Sequence, residues 1–271
     1  MGMPYAEPFS FLSLRFVLAI ALLGLLALGV RAPWPGLRLA GHCMVVGVLL
    51  HGVYLGGIFW VIDHGMPAGI SAMIVGLQPI TIAVLAGPLL GEKITRHQWS
   101  GLFISAVGLV LVLAPKFEFG ASDINFTNIT VCVLAMLGQT AGTIYQKKFA
   151  TLAPLRTGTI WQYVGALLPC FIYALAFESF EFDWNFELIF ALGWLVLVLS
   201  IAAIFLLMTL IRDGSVSKVS SLFYLVPAST AVIAFLLFGE TLNTVQIIGM
   251  VLCAIGVRYA MGAAGRSGLP R

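Results

Sequence analysis

The sequence predicts an all-α membrane protein that crosses the bilayer many times, and three observations carry that reading. Hydrophobic residues fill 61% of the 271 positions and charged residues 9%, with a mean hydropathy of +1.05. A soluble domain carries roughly 25% charged residues. Apolar runs of about 20 residues, the length a helix needs to cross a bilayer, recur along the whole chain. Finally, one phrase is written twice: Pro79–Ile94 reads PITIAVLAGPLLGEKI, and 148 positions later Pro227–Leu242 reads PASTAVIAFLLFGETL.

Nine runs are expected as helices, near 10–30, 39–62, 67–90, 97–115, 126–148, 157–177, 187–211, 217–238 and 244–262. Short clusters of Pro, Gly and charge separate them, so no soluble domain or long linker fits. The period-two alternation of a membrane β-barrel is absent. The first run follows MGMPYAEPFS rather than a basic start and has no small-residue cleavage site, so it reads as a retained helix. Cys43, Cys132, Cys170 and Cys253 each stand alone in a different run. They have neither metal-ligand nor paired spacing, and buried packing is their expected role. No metal, cofactor or nucleic-acid motif is present; the lipid bilayer is the expected surrounding.

Alternating the helices sorts the loops by charge. Twelve Lys and Arg fall on one side, and only Arg15, near a helix start, and Lys116 fall on the other. The basic side is cytoplasmic by the positive-inside rule, which places the C-terminus inside. The two copies of the repeated phrase then face opposite ways. GEKITRHQW carries Lys93 and Arg96, whereas its twin GETLNTVQI has no basic residue. The copies are therefore antiparallel, an inverted-topology repeat of 1–120 and 121–271. Such repeats are tied to transporters that bind near the bilayer midplane. Duplication alone would give the similarity without the charge reversal. Gly101 and Gly108 fall on Gly249 and Gly256 at the same offset. The offset also leaves four helices in the first repeat against five in the second. A ten-helix parent with nine helices present is the expectation, and a natural nine-helix variant is the alternative.

Two repeats, each closing with Pro, then Gly-Glu, then a Gly-bearing last helix, resemble the EamA-type drug/metabolite transporter superfamily. The opening PYAEPFSFLSLRFVLAIALL resembles its junction between helices 1 and 2. The chain is most similar to the YddG-type bacterial exporters of aromatic amino acids, for which methyl viologen is a further substrate. The resemblance implies a multi-pass inner-membrane protein that exports a small molecule by alternating access, with no catalytic residues. A carrier of another metabolite class, or a noncatalytic scaffold, remains the alternative.

Polar groups at helix centres are costly in a membrane and read as functional candidates. His51 centres the second run with Tyr54 on the same face. Gln78 stands beside Pro79 in the third run, and Gln139 centres the fifth. Ser221 and Tyr224 precede Pro227 in the eighth. His51, Tyr54, Gln78, Gln139, Ser221 and Tyr224 are expected to border one central cavity, with Pro79 and Pro227 as hinges. Each polar residue has a plain alternative as a helix-to-helix hydrogen bond worth under about 2 kcal/mol. Trp161 and Gln162 lie nearer a helix end, where an aromatic anchor is the simpler reading.

Absences narrow the chemistry. No Asp, Glu, Lys or Arg is expected near a helix centre, and Glu92 and Glu240 fall at helix ends. A phosphate carrier would set Arg or Lys at its site. A zinc hydrolase would need a His-Glu-x-x-His helix, which is absent. A sparsely polar, aromatic site suits a neutral zwitterion with a large side chain, or a flat organic cation held by cation–π attraction. Without a central carboxylate, facilitated and reversible transport is expected.

Overall fold

A computed structural model describes residues 5–114, 125–226, 229, 232 and 243–262, and the described residues are almost entirely helical. The helices are α1 Pro8–Gly29, α2 Leu37–Gly47, α3 Tyr54–Asp63, α4 Ala68–Val75, α5 Gln78–Leu90 and α6 Arg96–Leu113. They continue as α7 Phe126–Phe149, α8 Leu155–Phe177, α9 Phe186–Trp194, α10 Ile204–Asp213, α11 Val216–Ser221 and α12 Thr244–Gly262. Eight spans among them are long and apolar enough to cross a membrane. Pro227, Gly239 and Glu240 lie outside the described residues.

Local chemistry sets the helix ends. Proline at the first turn of α1 lacks only an N–H that no helix partner would accept. Thr95 and Gln98 form a reciprocal capping box at α6. Asn125 and Asn185 each accept from the backbone three residues on, opening α7 and α9 at 2.7 and 2.8 Å. The third apolar run is two helices: α4 ends at Val75, and α5 resumes at Gln78 with Pro79 in its first turn. A proline there costs no hydrogen bond, so the break falls just before it.

The chain forms two compact units, Met1–Gly65 with Asn125–Asp213, and Met66–Ile124 with Gly214–Arg271. Each draws helices from both halves of the sequence. In the first unit α1 packs along α8, burying Leu12, Phe16, Ala19, Leu23, Tyr163, Ala166 and Cys170. α7 packs against α2 and α3. Two spans of this unit are locally unwound to π-helix, at Val48–Val53 between α2 and α3 and at Leu195–Ala203 between α9 and α10. Shifting Val48–Val53 by 148 positions lands on residues 196–201, inside the second π segment.

The second unit is built on the crossing of α6 and α12. A Cβ on Gly101 would lie 2.6 Å from the Gly256 carbonyl oxygen, and one on Gly256 would lie 2.6 Å from that of Gly101. Gly108 and Gly249 block each other reciprocally at 2.7 Å. Between these pairs the Ser105 hydroxyl approaches the Cys253 carbonyl at 3.4 Å, and the Cys253 thiol approaches the Ser105 carbonyl at 3.6 Å. Residues 148 apart thus exchange the same contacts in both directions, which makes the crossing antiparallel about a local twofold axis. Only glycine admits backbones this close.

None of the four cysteines forms a disulfide, and all are buried, each exposing 1% or less.

Candidate functional site

The duplicated Gly-Glu has a structural use in its first copy. Gly91 ends α5 in the left-handed conformation, φ 71°, which glycine adopts without strain. The chain then presents Glu92 to the start of α11. Its carboxylate accepts from Val216 N at 2.7 Å, Ser217 N at 3.2 Å and the Ser217 hydroxyl at 2.6 Å. In the first unit Glu178 treats α1 in the same way, accepting from Phe9 N, Ser10 N and the Ser10 hydroxyl at 2.9, 2.6 and 2.7 Å. Negative charge at a helix N-terminus satisfies unpaired N–H groups and the helix dipole together. The opposite pairing closes α10, where Lys147 Nζ donates to the Ile211 and Arg212 carbonyls at 2.8 and 3.0 Å.

A buried polar group inside the first unit departs from the sequence reading. Arg15 is the eighth residue of α1, about 10 Å along the helix from its start. It exposes 5% of its surface. Arg15 was expected near the start of its helix; it stands two residues deeper than that reading gave, because α1 begins at Pro8. Arg15 Nε donates to the Ser200 hydroxyl at 2.9 Å. Ser200 sits in the second π segment, and its carbonyl accepts from the Tyr163 hydroxyl at 2.6 Å. The Tyr163 ring lies 5.0 Å from His51 and 5.6 Å from Phe16, centroid to centroid. His51 occupies the first π segment, is buried, and leaves Nε2 without a partner. Gln162 donates to Gln146 Oε1 at 3.1 Å, and its own Oε1 is likewise unpartnered. Gln162 is 2% exposed, part of the core.

The expected site residues divide between the units. His51, Tyr54 and Gln139 belong to the first; Tyr54 and Gln139 are half-buried, and Gln139 Oε1 has no partner. Gln78, Ser221 and Tyr224 belong to the second. Gln78 is buried at the start of α5 with Nε2 unpartnered. The Ser221 hydroxyl turns back onto the Lys218 carbonyl at 2.7 Å. Tyr224 packs among Ala83, Leu102, Leu109 and Cys253, its hydroxyl unpartnered. The sequence reading missed Arg15, Tyr163 and Ser200. A cation inside an apolar helix was the available signal for the first; a lone serine in LVLVLSIAA gave little for the last.

Membrane-length helices, charges held at helix ends and an internal polar group define a multi-pass membrane protein of the carrier type. The chain belongs to the EamA-like transporter family, whose profile it matches over residues 1–114 and 127–261. It is similar to a probable amino-acid metabolite efflux pump of Salmonella typhimurium, 23% identical over 74% of this chain and 69% of the relative. Two further relatives are the transporter YvbV of Bacillus subtilis, 24% identical over 94% of this chain and 83% of its own, and the inner membrane transporter YedA of Escherichia coli. YedA is 23% identical over 94% of this chain and 82% of its own. A crystal structure superposes with a TM-score of 0.77 over 96% of this chain and 89% of that one; at 16% identity it speaks for the fold alone.

Proposed function

We propose that this protein exports small metabolites, above all large neutral or aromatic amino acids, and also carries flat organic cations. It works by alternating access of two inverted repeats, 1–120 and 121–271, in a ten-helix parent architecture. The observation that carries the reading is the buried group of polar side chains set among aromatic rings, inside a transporter-family fold with an amino-acid efflux relative. The reciprocal contacts of α6 and α12 support the inverted repeat. His51, Tyr54 and Gln139 are assigned to substrate contact, as are Gln78, Ser221 and Tyr224. Pro79 and Pro227 are assigned as hinges. The protein resides in the bacterial inner membrane with its C-terminus in the cytoplasm, as the loop charges support.

Transport is facilitated, and net export follows the cytoplasmic concentration. Proteoliposomes holding the purified chain test this directly. Labelled phenylalanine should equilibrate across the membrane with no applied gradient. Absence of flux for every amino acid and organic cation tried would support a scaffold instead. Accumulation driven by an imposed pH or sodium gradient, and abolished by an ionophore, would replace facilitated transport by coupled transport.

A further inference from the structure

We propose that Arg15 is a carboxylate-recognition residue, holding the carboxylate of the transported zwitterion within the first unit. The inference deepens the amino-acid reading above and rests on it. It begins from an imbalance. An arginine this far along a membrane helix is expensive to keep, about 2.5–3.5 kcal/mol on insertion scales near the centre. The usual offset is a carboxylate. Among the described residues no Asp or Glu lies within ion-pair distance of Arg15, and its one hydrogen bond goes to a neutral hydroxyl. That bond uses Nε and leaves the terminal nitrogens without an acceptor among the described residues. A guanidinium anchored through Nε keeps its forked face for two parallel bonds, the geometry that matches a carboxylate.

The surroundings suit the rest of a zwitterion. Ser200 is fixed from two sides, by Arg15 on its hydroxyl and by Tyr163 on its carbonyl, so the fork is aimed rather than mobile. His51 lies beside Phe16 and Tyr163, 6.3 and 5.0 Å between ring centroids, and Gln162 precedes Tyr163 on α8. Gln162 Oε1 is an unpartnered acceptor, and unpartnered His51 Nε2 is one when the ring proton sits on Nδ1; an ammonium group would satisfy both. Phe16, Tyr163 and His51 surround the group with aromatic rings, all three buried and packed on one another. Unpaired buried polar atoms are costly, and a ligand that pairs them gains what the empty protein lacks.

The test compares phenylalanine with phenylalanine amide, which keeps the ring and the amine and loses the carboxylate charge. In proteoliposomes of the full chain, Arg15→Gln should lower phenylalanine flux at least about tenfold and leave amide flux within about twofold, collapsing the acid-to-amide ratio. Arg15→Lys, a charge without the fork, should fall between. The ratio is independent of how much protein folds. An unchanged ratio in both variants would overturn the proposal. If Arg15→Gln yields no protein, Arg15→Lys and Ser200→Ala decide it, a ratio lowered at least about threefold supporting it and an unchanged one overturning it. Should the wild type carry no amino acid, the transport reading fails separately. Phenylacetate raising the melting temperature of the wild type but not of Arg15→Lys or Ser200→Ala would then keep the carboxylate site, and equal responses would reject it.

Discussion

The α6–α12 crossing and the two π segments are both places where residues 148 apart correspond, and they differ in what has been kept. At the crossing the side chains themselves correspond: glycine meets glycine twice, and Ser105 and Cys253 exchange contacts across the local axis. At the π segments the backbone distortion recurs, but His51 stands in one and Ser200 in the other. Neither has a polar match, because His51 aligns with Leu199 and Ser200 with Gly52. Close packing needs the same small residue in both copies, since either Cβ alone would collide. An unwound turn needs no such match. It widens the turn and re-aims side chains, so each copy can carry different chemistry. The symmetric region holds the fold; the asymmetric one holds the candidate chemistry.

The largest expected effect follows from the crossing. Gly108→Leu drives a side chain into the α12 backbone, which cannot yield as a rotamer can, and should cost on the order of 3 kcal/mol. Folded protein recovered by detergent size exclusion should fall steeply. Recovery at wild-type level would show that α6 and α12 separate without consequence and would dissolve the contrast.

At the π segments the effect should appear in flux instead of recovery. His51→Leu keeps bulk and removes a polar atom, so expression should hold while phenylalanine flux drops about tenfold. Normal flux would reassign His51 to packing. A smaller effect is expected at the helix start held by Glu92, where Glu92→Gln retains one acceptor oxygen and should lower stability by about 1 kcal/mol, read as a reduced melting temperature. Least of all, Ser105→Ala should stay within about 0.5 kcal/mol of wild type. At 3.4 Å its hydroxyl bond is long, and the crossing depends on the glycines around it. A large loss there would mean that the axis relies on the hydroxyl.

Much of the fold was legible because a bilayer imposes length and polarity on every span. Eight of the nine expected runs appear as spans among the described residues, and they and the glycine positions follow from that constraint and from one offset; the run at 217–238 lies largely outside the described residues. Arg15 was misplaced for a specific reason. Hydropathy starts the first helix at residue 10, which leaves the arginine close to an edge. The real start is at Pro8, fixed by Glu178, which lies 168 positions from Ser10. No local pattern carries that pairing, nor the Arg15–Ser200 bond across 185 positions. The π segments are equally silent in sequence, since VLLHGV and LVLVLSIAA read as ordinary helix. Depth counted along straight helices picked out His51 and passed over Tyr163, whose hydroxyl reaches the Ser200 carbonyl from α8.

The burial of every native thiol has a practical consequence. Cys43, Cys132, Cys170 and Cys253 offer almost no surface to an aqueous reagent, so the wild-type chain is already a quiet background for maleimide labelling. A single new cysteine at exposed Lys93 or exposed Asp183 would therefore report its own side of the membrane, without first stripping the chain of its natural thiols. On intact spheroplasts an impermeant maleimide should tag Asp183→Cys and spare Lys93→Cys until the membrane is opened, and the reverse pattern would invert the topology. The same background extends to any pair of positions, so the distance changes of a working carrier can be followed one label at a time in the native sequence.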